Sequence, residues 1–598
     1  MRRAGIALLL AAVVAALWTT VVWLSGGLVI SVAGVGISSS DPLRPLIVAA
    51  VFAGSYAALA GAAQLRRDAE ALKRQFTAAR LTALLTIIVL TVGLAHNAWT
   101  AGGSDAYSYI SQADLWLEGK MKTEIPLASR VPWPNGLATF TPFGYRPVPN
   151  EPAIAPMTGP GLPLMMAALK YVAGHTAAFL VVPFSGALFL WATFLIGRRL
   201  GSESVGLGGA WLMATSPTFL IMFKSQMSDV PAGACWALAT YWTLGNSVRS
   251  AIAGGLATST ATLIRPNLVP LAAILCLWLA RYSNRQRLFA FVAGALPGSL
   301  IVAVINNQLY GSPLSSGYGE LGELFSIANV PATLTHYGTW LIETQTPIAA
   351  GGIIALAVAP RPIWRTPQAR SGVRLLASLV IAVWALYSIY PLSNAWWTLR
   401  FLLPSWPAMC IGVAALVMWP THRMIAWRRA LQVGALIALG LYGVVVTWQR
   451  GVFPEGEGER RYASIATLVE QHTEPDAMIL ASIHAGATRY YTGRATMRFD
   501  LLDEAWLDRA VEWLQQNGRH PYVLIEDWEM PAFTKRFGGA NRLGALTFAP
   551  ALAYQAYRIP GKVYLFDLLR LNGPTLEPLP VRDPRPLCVP PGPRAPLA

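Results

Sequence analysis

The stretch AAFLVVPFSGALFLWATFLIGRRLGSESVGLGGAWLMATSPTFLIMFKSQMSDVPAGACWALATYWTLGNS (177–247) decides the fold class. It holds three apolar runs, 177–196, 205–223 and 230–247, and its only charges are Arg198, Arg199 and Glu203 at one break and Lys224 and Asp229 at the other. A bilayer takes roughly 20 apolar residues per helix, and shorter runs are tolerated where they tilt or are shielded by neighbours. The stretch therefore predicts three successive membrane-spanning helices. Working outward, comparable runs occur at 7–24, 45–64, 81–97, 251–264, 267–280, 288–305, 346–360, 375–391, 401–419 and 430–448. The total is about thirteen, with 251–264 and 267–280 the shortest. Of the 598 residues 54% are hydrophobic and 13% charged. A soluble globular protein carries roughly 25% charged residues, which excludes an ordinary cytosolic enzyme. Arg2 and Arg3 before an Ala-rich run would also suit a signal peptide. Apolar character continues past Trp18 to Leu24, so a retained first helix is expected.

The net charge of +16 would suggest nucleic acid on a soluble chain. Sorted by alternate loops, it means something else. With the N-terminus inside, the inner loops hold twenty basic and three acidic residues, and the outer loops up to Gln449 hold nine basic and ten acidic. The chain after Gln449 holds seventeen of each. This asymmetry is what the positive-inside rule expects, and it makes the N-terminus cytoplasmic and removes the case for a nucleic-acid partner.

Residues 1–449 are expected to form one transmembrane domain with long external loops at 99–176 and 306–345. Long loops on a compact bundle are usually functional. From 450 the pattern changes. RYASIATLVEQH (461–472) and DEAWLDRAVEWLQQNG (503–518) have helical spacing, whereas DAMILASI (476–483), PYVLIED (521–527) and KVYLFDLL (562–569) suggest strands. An extracytoplasmic α/β domain over 450–573 follows, with a Pro-rich disordered tail over 574–598. In that domain His484, Arg489, Tyr490 and Tyr491 could bind a ligand, although packing and capping account for them more simply. Cys235, Cys276 and Cys410 lie in apolar runs and Cys588 stands alone in the tail, which fits neither a disulfide framework nor a zinc site.

The same parity that sorts the loops gathers a small charged set on the outer face. Asp105 lies in GGSDAYSYISQADLWLEG (102–119), Lys224 and Asp229 in FKSQMSDVPA (223–232), Arg265 in LIRPNL (263–268) and Arg400 in WWTLRFLLPSWP (396–407). GSPLSSGYGE (311–320) adds Tyr318 and Glu320. Each has a plain alternative. The carboxylates could cap helices, the tyrosines could anchor at the interface, and the arginines could reach to headgroups. Five separated segments converging on one face favour a site, since ionisable residues near a membrane boundary are costly unless used or paired.

At these residues the sequence resembles the GT-C membrane glycosyltransferases, especially the branch using polyprenyl-phosphate-linked sugars, over about residues 80–450. The resemblance rests on an acidic residue in the first external loop (Asp105), a second later in the bundle (Asp229 in MSDVPA) and the Arg-aromatic-x-x-Pro segment from Arg400. One departure stands out: APMTGPGLP (155–163) replaces a Lys-Pro-Pro segment of some relatives and lacks its lysine. The resemblance implies a GT-C polytopic helical fold and an inverting transferase moving a hexosyl or pentosyl unit. The donor would be a polyprenyl-phosphate sugar, and the acceptor a hydroxyl on glycan, lipid or protein. It implies Asp105 and Asp229 as catalytic residues, Arg265, Arg400 and Lys224 on the donor phosphate, and Tyr107, Tyr109, Tyr318 and Glu320 around the sugar. Two carboxylates could hold a divalent metal, but no histidine cluster accompanies them, so no cofactor is expected. A bacterial inner membrane is the simplest location. The competing function is a transporter or lipid flippase, which would favour matched repeats that the sequence does not display.

Overall fold

The computed structural model describes residues 2–25, 28–32, 35–39, 41, 43–319, 325–419, 426–453, 455–555 and 561–571. Glu320, Cys588 and the whole 574–598 segment lie outside them. Each of the thirteen apolar runs falls largely on helix. Six helices among the described residues are long and apolar enough to cross a membrane, or up to eight if each of two bent pairs is one span. One bent pair is Glu203–Ala214 with Pro217–Phe223, at 66°; the other is Ile327–Gln345 with Ile348–Val358, at 108°. The chain is therefore a multi-pass helical membrane protein with several short or broken helices.

Local chemistry marks many helix starts. Side chains of Thr77, Ser202, Ser247, Asn284 and Thr366 each accept a backbone N–H three residues on. Where water is absent, helices associate by close packing of small residues. Gly255 on the Val248–Ile264 helix and Gly294 on the Arg285–Tyr310 helix show why: a Cβ on Gly255 would lie 2.2 Å from the Phe291 carbonyl oxygen.

The two long loops are more structured than their polarity suggested. Residues 99–176 contain the helices Asp105–Leu117 and Gly161–Ala173 and a three-stranded antiparallel sheet with Ala153–Pro156 at its centre. The segment expected as an external loop at 306–345 contains the helix Val330–Gln345, VPATLTHYGTWLIETQ. Its alternation of apolar and polar residues hid it from a search for continuous apolar length.

Beyond the helix Glu455–His472, five strands form one sheet. In spatial order they are Ala495–Met497, Ala477–Ala481, His520–Glu526, Lys562–Asp567 and Leu552–Gln555. The first three are parallel, and the last two join antiparallel. Ala495–Met497 and Leu552–Gln555 were not expected from the sequence, being three and four residues long.

This sheet region docks on the 99–176 segment. The Ala101 N–H donates to Tyr491 Oη (2.7 Å), Tyr490 Oη donates to Asp114 Oδ2 (2.8 Å), and the Arg498 N–H donates to the Thr139 carbonyl (2.6 Å). Two of these contacts bracket the Asp105–Leu117 helix, so the C-terminal residues help to hold that helix in place.

Candidate active site

Asp105 opens its helix, and Asp229 opens the helix Asp229–Thr243. Carboxylates are favourable in a first helical turn, where unpaired N–H groups and the helix dipole present positive charge. Neither aspartate occupies the cap position itself, which belongs to Ser104 and Ser228. Arg265 terminates the helix Val248–Ile264, and Arg400 lies in the Trp396–Ser405 turn of 3-10 helix before the helix Trp406–Val417.

These four ends meet as two ion pairs. Arg265 Nη2 lies 2.7 Å from Asp229 Oδ1, with the side chains 12% and 0% exposed. Arg400 Nη2 lies 3.3 Å from Asp105 Oδ2, with the side chains 20% and 34% exposed. The pairs differ in kind. The first is buried, and both Asp229 carboxylate oxygens lack an aligned hydrogen-bond donor, so charge proximity holds it together. The second is longer and open to solvent on one side.

Residues absent from the sequence-based set tie the pairs together. Ser228 Oγ accepts from Tyr109 Oη (2.8 Å) and from Arg265 Nε (2.9 Å). Arg265 Nη1 and Asn267 Nδ2 both donate to Tyr387 Oη, at 3.2 and 2.9 Å. The Phe401 ring has the Arg265 and Arg400 guanidinium carbons at 5.5 and 5.1 Å from its centre and stacks on Tyr387 at 5.2 Å. Ser228 stands beside an expected site residue, but Tyr387 closes a helix that carries no other candidate. Only its position in YSIYP (387–391), where an apolar run breaks, hinted at it.

The remaining candidates are distributed unevenly. Burial, together with the Asp105 charge, raises the Tyr109 pKa and keeps its phenol protonated. Tyr318 is 45% exposed. Partial desolvation, with Tyr109 and then Asp105 nearby, raises its pKa too. Lys224 is 1% exposed and ends the helix Pro217–Phe223, which makes it the most withdrawn of the three cations. Tyr107 lies two residues, about 200°, around the helix from Asp105, and its ring packs on Gly486 and Tyr145 instead. Among the described residues, no group of three or more His, Cys, Asp or Glu side chains is placed to hold a metal ion.

The segment that lacks the lysine, APMTGPGLP (155–163), has a visible packing role. A Cβ on Gly161 would lie 2.5 Å from the Ile264 nitrogen, so this segment seats against the backbone leading into Arg265. The 311–319 loop is held alongside, with Arg146 Nη1 donating to the Ser316 carbonyl (2.7 Å) and Tyr310 Oη to the Pro156 carbonyl (2.9 Å). A Cβ on Gly317 would lie 2.2 Å from Met157 Cα.

No family model matches the chain, and no curated protein matches it by sequence. Its structure is similar to that of ArnT from Cupriavidus metallidurans bound to undecaprenyl phosphate, with a TM-score of 0.51 and 14% identity over 83% of this chain and 98% of that one. The same values hold for ArnT in the apo state. The oligosaccharyltransferase of Archaeoglobus fulgidus matches at a TM-score of 0.47 and 11% identity, over 79% of this chain and 72% of that one. The resemblance expected from the sequence is thus matched by the fold, which the chain shares with ArnT.

Proposed function

We propose that the chain is an inverting glycosyltransferase that moves a sugar from a polyprenyl-phosphate donor to an acceptor hydroxyl at the outer face of a bacterial plasma membrane. The observation that carries this reading is the convergence of Asp105–Arg400 and Asp229–Arg265 where four separated segments meet. A fold shared with a protein solved on undecaprenyl phosphate supports the donor class.

The chemistry suits the geometry. A sugar on a lipid phosphate already has a good leaving group, so the enzyme must stabilise the departing phosphate and accept one proton from the nucleophile. Guanidinium groups are the side chains best shaped to hold phosphate oxygens through paired N–H donors. Arg400 is the exchangeable one: its link to Asp105 is 3.3 Å long and partly exposed, whereas the Arg265–Asp229 pair is buried. An arriving phosphate that draws Arg400 away leaves Asp105 uncovered to take the acceptor proton as general base. Arg265 stays locked by Asp229, Ser228 and Tyr387 and presents a fixed positive charge to the phosphate. Lys224 adds positive potential from inside the bundle. Attack opposite the leaving phosphate in a single displacement inverts the anomeric carbon. Tyr109 and Tyr318 line the sugar side, while Tyr107 faces away.

The test is reconstitution in liposomes with radiolabelled polyprenyl-phosphate sugars and an envelope-lipid or glycan acceptor. Asp105→Asn should lower transfer at least about 100-fold, the scale of a lost general base, with insertion and melting temperature unchanged. Wild-type transfer by that variant removes Asp105 from the base role. Donor movement across the bilayer without consumption would replace the transferase by a flippase.

A further inference from the structure

Behind the Asp105–Leu117 helix lies a second concavity, about 840 Å3 in volume. At 100° per residue, positions 105 and 109 of this helix point one way and 107, 111 and 114 the other. Tyr107, Ser111 and Asp114 accordingly line the cavity, with Tyr145, Arg489 and Tyr490 facing them from the three-stranded sheet and the helix Ala485–Thr492. We propose that this cavity is a saccharide-binding site that takes an acidic oligosaccharide, with an anionic group of the ligand against Arg489. The proposal stands whether or not the chain is a transferase.

Its volume falls within the roughly 300–1,000 Å3 typical of ligand sites, more than a free phosphate or a metal ion needs. The walls are phenol rings: Tyr107 and Tyr145 lie 5.4 Å apart between centres, and Tyr490 meets Tyr107 edge-on at 6.3 Å. Phenols present apolar faces with polar edges, which complement a sugar ring whose C–H face is apolar and whose rim forms hydrogen bonds.

The polar groups between the rings are ordered by one another. Asp114 is held by Lys170 and by Tyr490 Oη, and Ser111 Oγ shares a 2.7 Å hydrogen bond with Tyr145 Oη. At the rim Lys120 pairs with Glu118 (3.3 Å), and Arg494 Nη2 donates to the Thr473 carbonyl (3.0 Å). A charged rim disfavours a purely apolar ligand. Of the charged residues that line the cavity, Arg489 and Glu124 stand outside this pairing, and Arg489 is the cation of the two. It is half-buried on the cavity wall, and no described residue gives it an ion pair or a side-chain hydrogen bond. Its place in the last turn of its helix suits the helix dipole, but its guanidinium donors remain unfilled. A carboxylate or phosphate carried on a glycan would fill them.

Calorimetric titration of the whole protein in detergent tests this with tetragalacturonate and chitotetraose as probes. Saturable binding of tetragalacturonate is expected, at least tenfold tighter than chitotetraose. Arg489→Gln should weaken it at least tenfold, and Arg489→Lys less. Asp105→Asn, on the opposite helix face, should bind as the wild type does. Absence of saturable tetragalacturonate binding, equal affinity for chitotetraose, unchanged affinity in Arg489→Gln or loss of binding in Asp105→Asn would each overturn the proposal.

Discussion

Two arginines, each facing an aspartate at a helix start, sit in different environments because burial differs. Asp229 is fully enclosed, so removing its partner strands a carboxylate in low dielectric, which costs roughly 3–5 kcal/mol. Asp105 is a third exposed, and an ion pair with that access to water contributes about 1 kcal/mol or less. Arg265→Met should therefore lower the unfolding free energy in detergent several times more than Arg400→Met. Arg400→Met should instead remove transfer activity while the protein stays folded. Equal destabilisation by the two variants would mean that the pairs are interchangeable, and the division between a fixed and an exchangeable cation would fall. The identities of all four residues were legible in the sequence. Their pairing was not, because residues 105 and 400 lie 295 positions apart. Ser228 and Tyr387 escaped notice for a related reason: a hydroxyl in an apolar context carries no charge signal, and its role depends on which donor lies across from it.

At the level of elements, the site depends on where helix ends meet and on the loops that seat against them. The 155–163 segment crosses the backbone of Leu263 and Ile264 so closely that Gly161 has no room for a Cβ, its nearest neighbours being backbone atoms that cannot rotate away. Gly161→Ala should cost about 1–3 kcal/mol, the usual penalty for overpacking, and should raise the donor KM by shifting Arg265. Gly338→Ala, inside the Val330–Gln345 helix with nothing within 4 Å of the added carbon, provides the control and should leave the donor KM unchanged without lowering stability. A melting temperature for Gly161→Ala equal to that of wild type would show that the segment yields freely. Apolar length identified the bundle helices but passed over Val330–Gln345 and Asp105–Leu117. Those helices mix polar with apolar positions, and Asp105–Leu117 is buried largely by neighbouring elements.

For the molecule as a whole, the charge asymmetry predicts an orientation, and the helical bundle and C-terminal sheet region meet through the first loop. An outward-facing sheet region predicts that alkaline phosphatase fused after Arg450 is active and green fluorescent protein fused there is dark. Fusions within the basic 361–374 segment should show the reverse. An inverted pattern would place the charge cluster on the cytoplasmic face and remove the argument for an external lipid-linked donor. The sequence by itself determined the membrane class, the helical segments, the expected orientation and the few charges worth following. These depend on composition and local periodicity, which each residue carries with it. Only the tertiary structure decided that Asp229 is buried and Asp105 accessible, that Tyr109 faces the charges while Tyr107 turns to a separate cavity, and that no described residue pairs with Arg489 there. Those properties belong to distances between segments far apart in the chain, set by packing that local patterns do not encode.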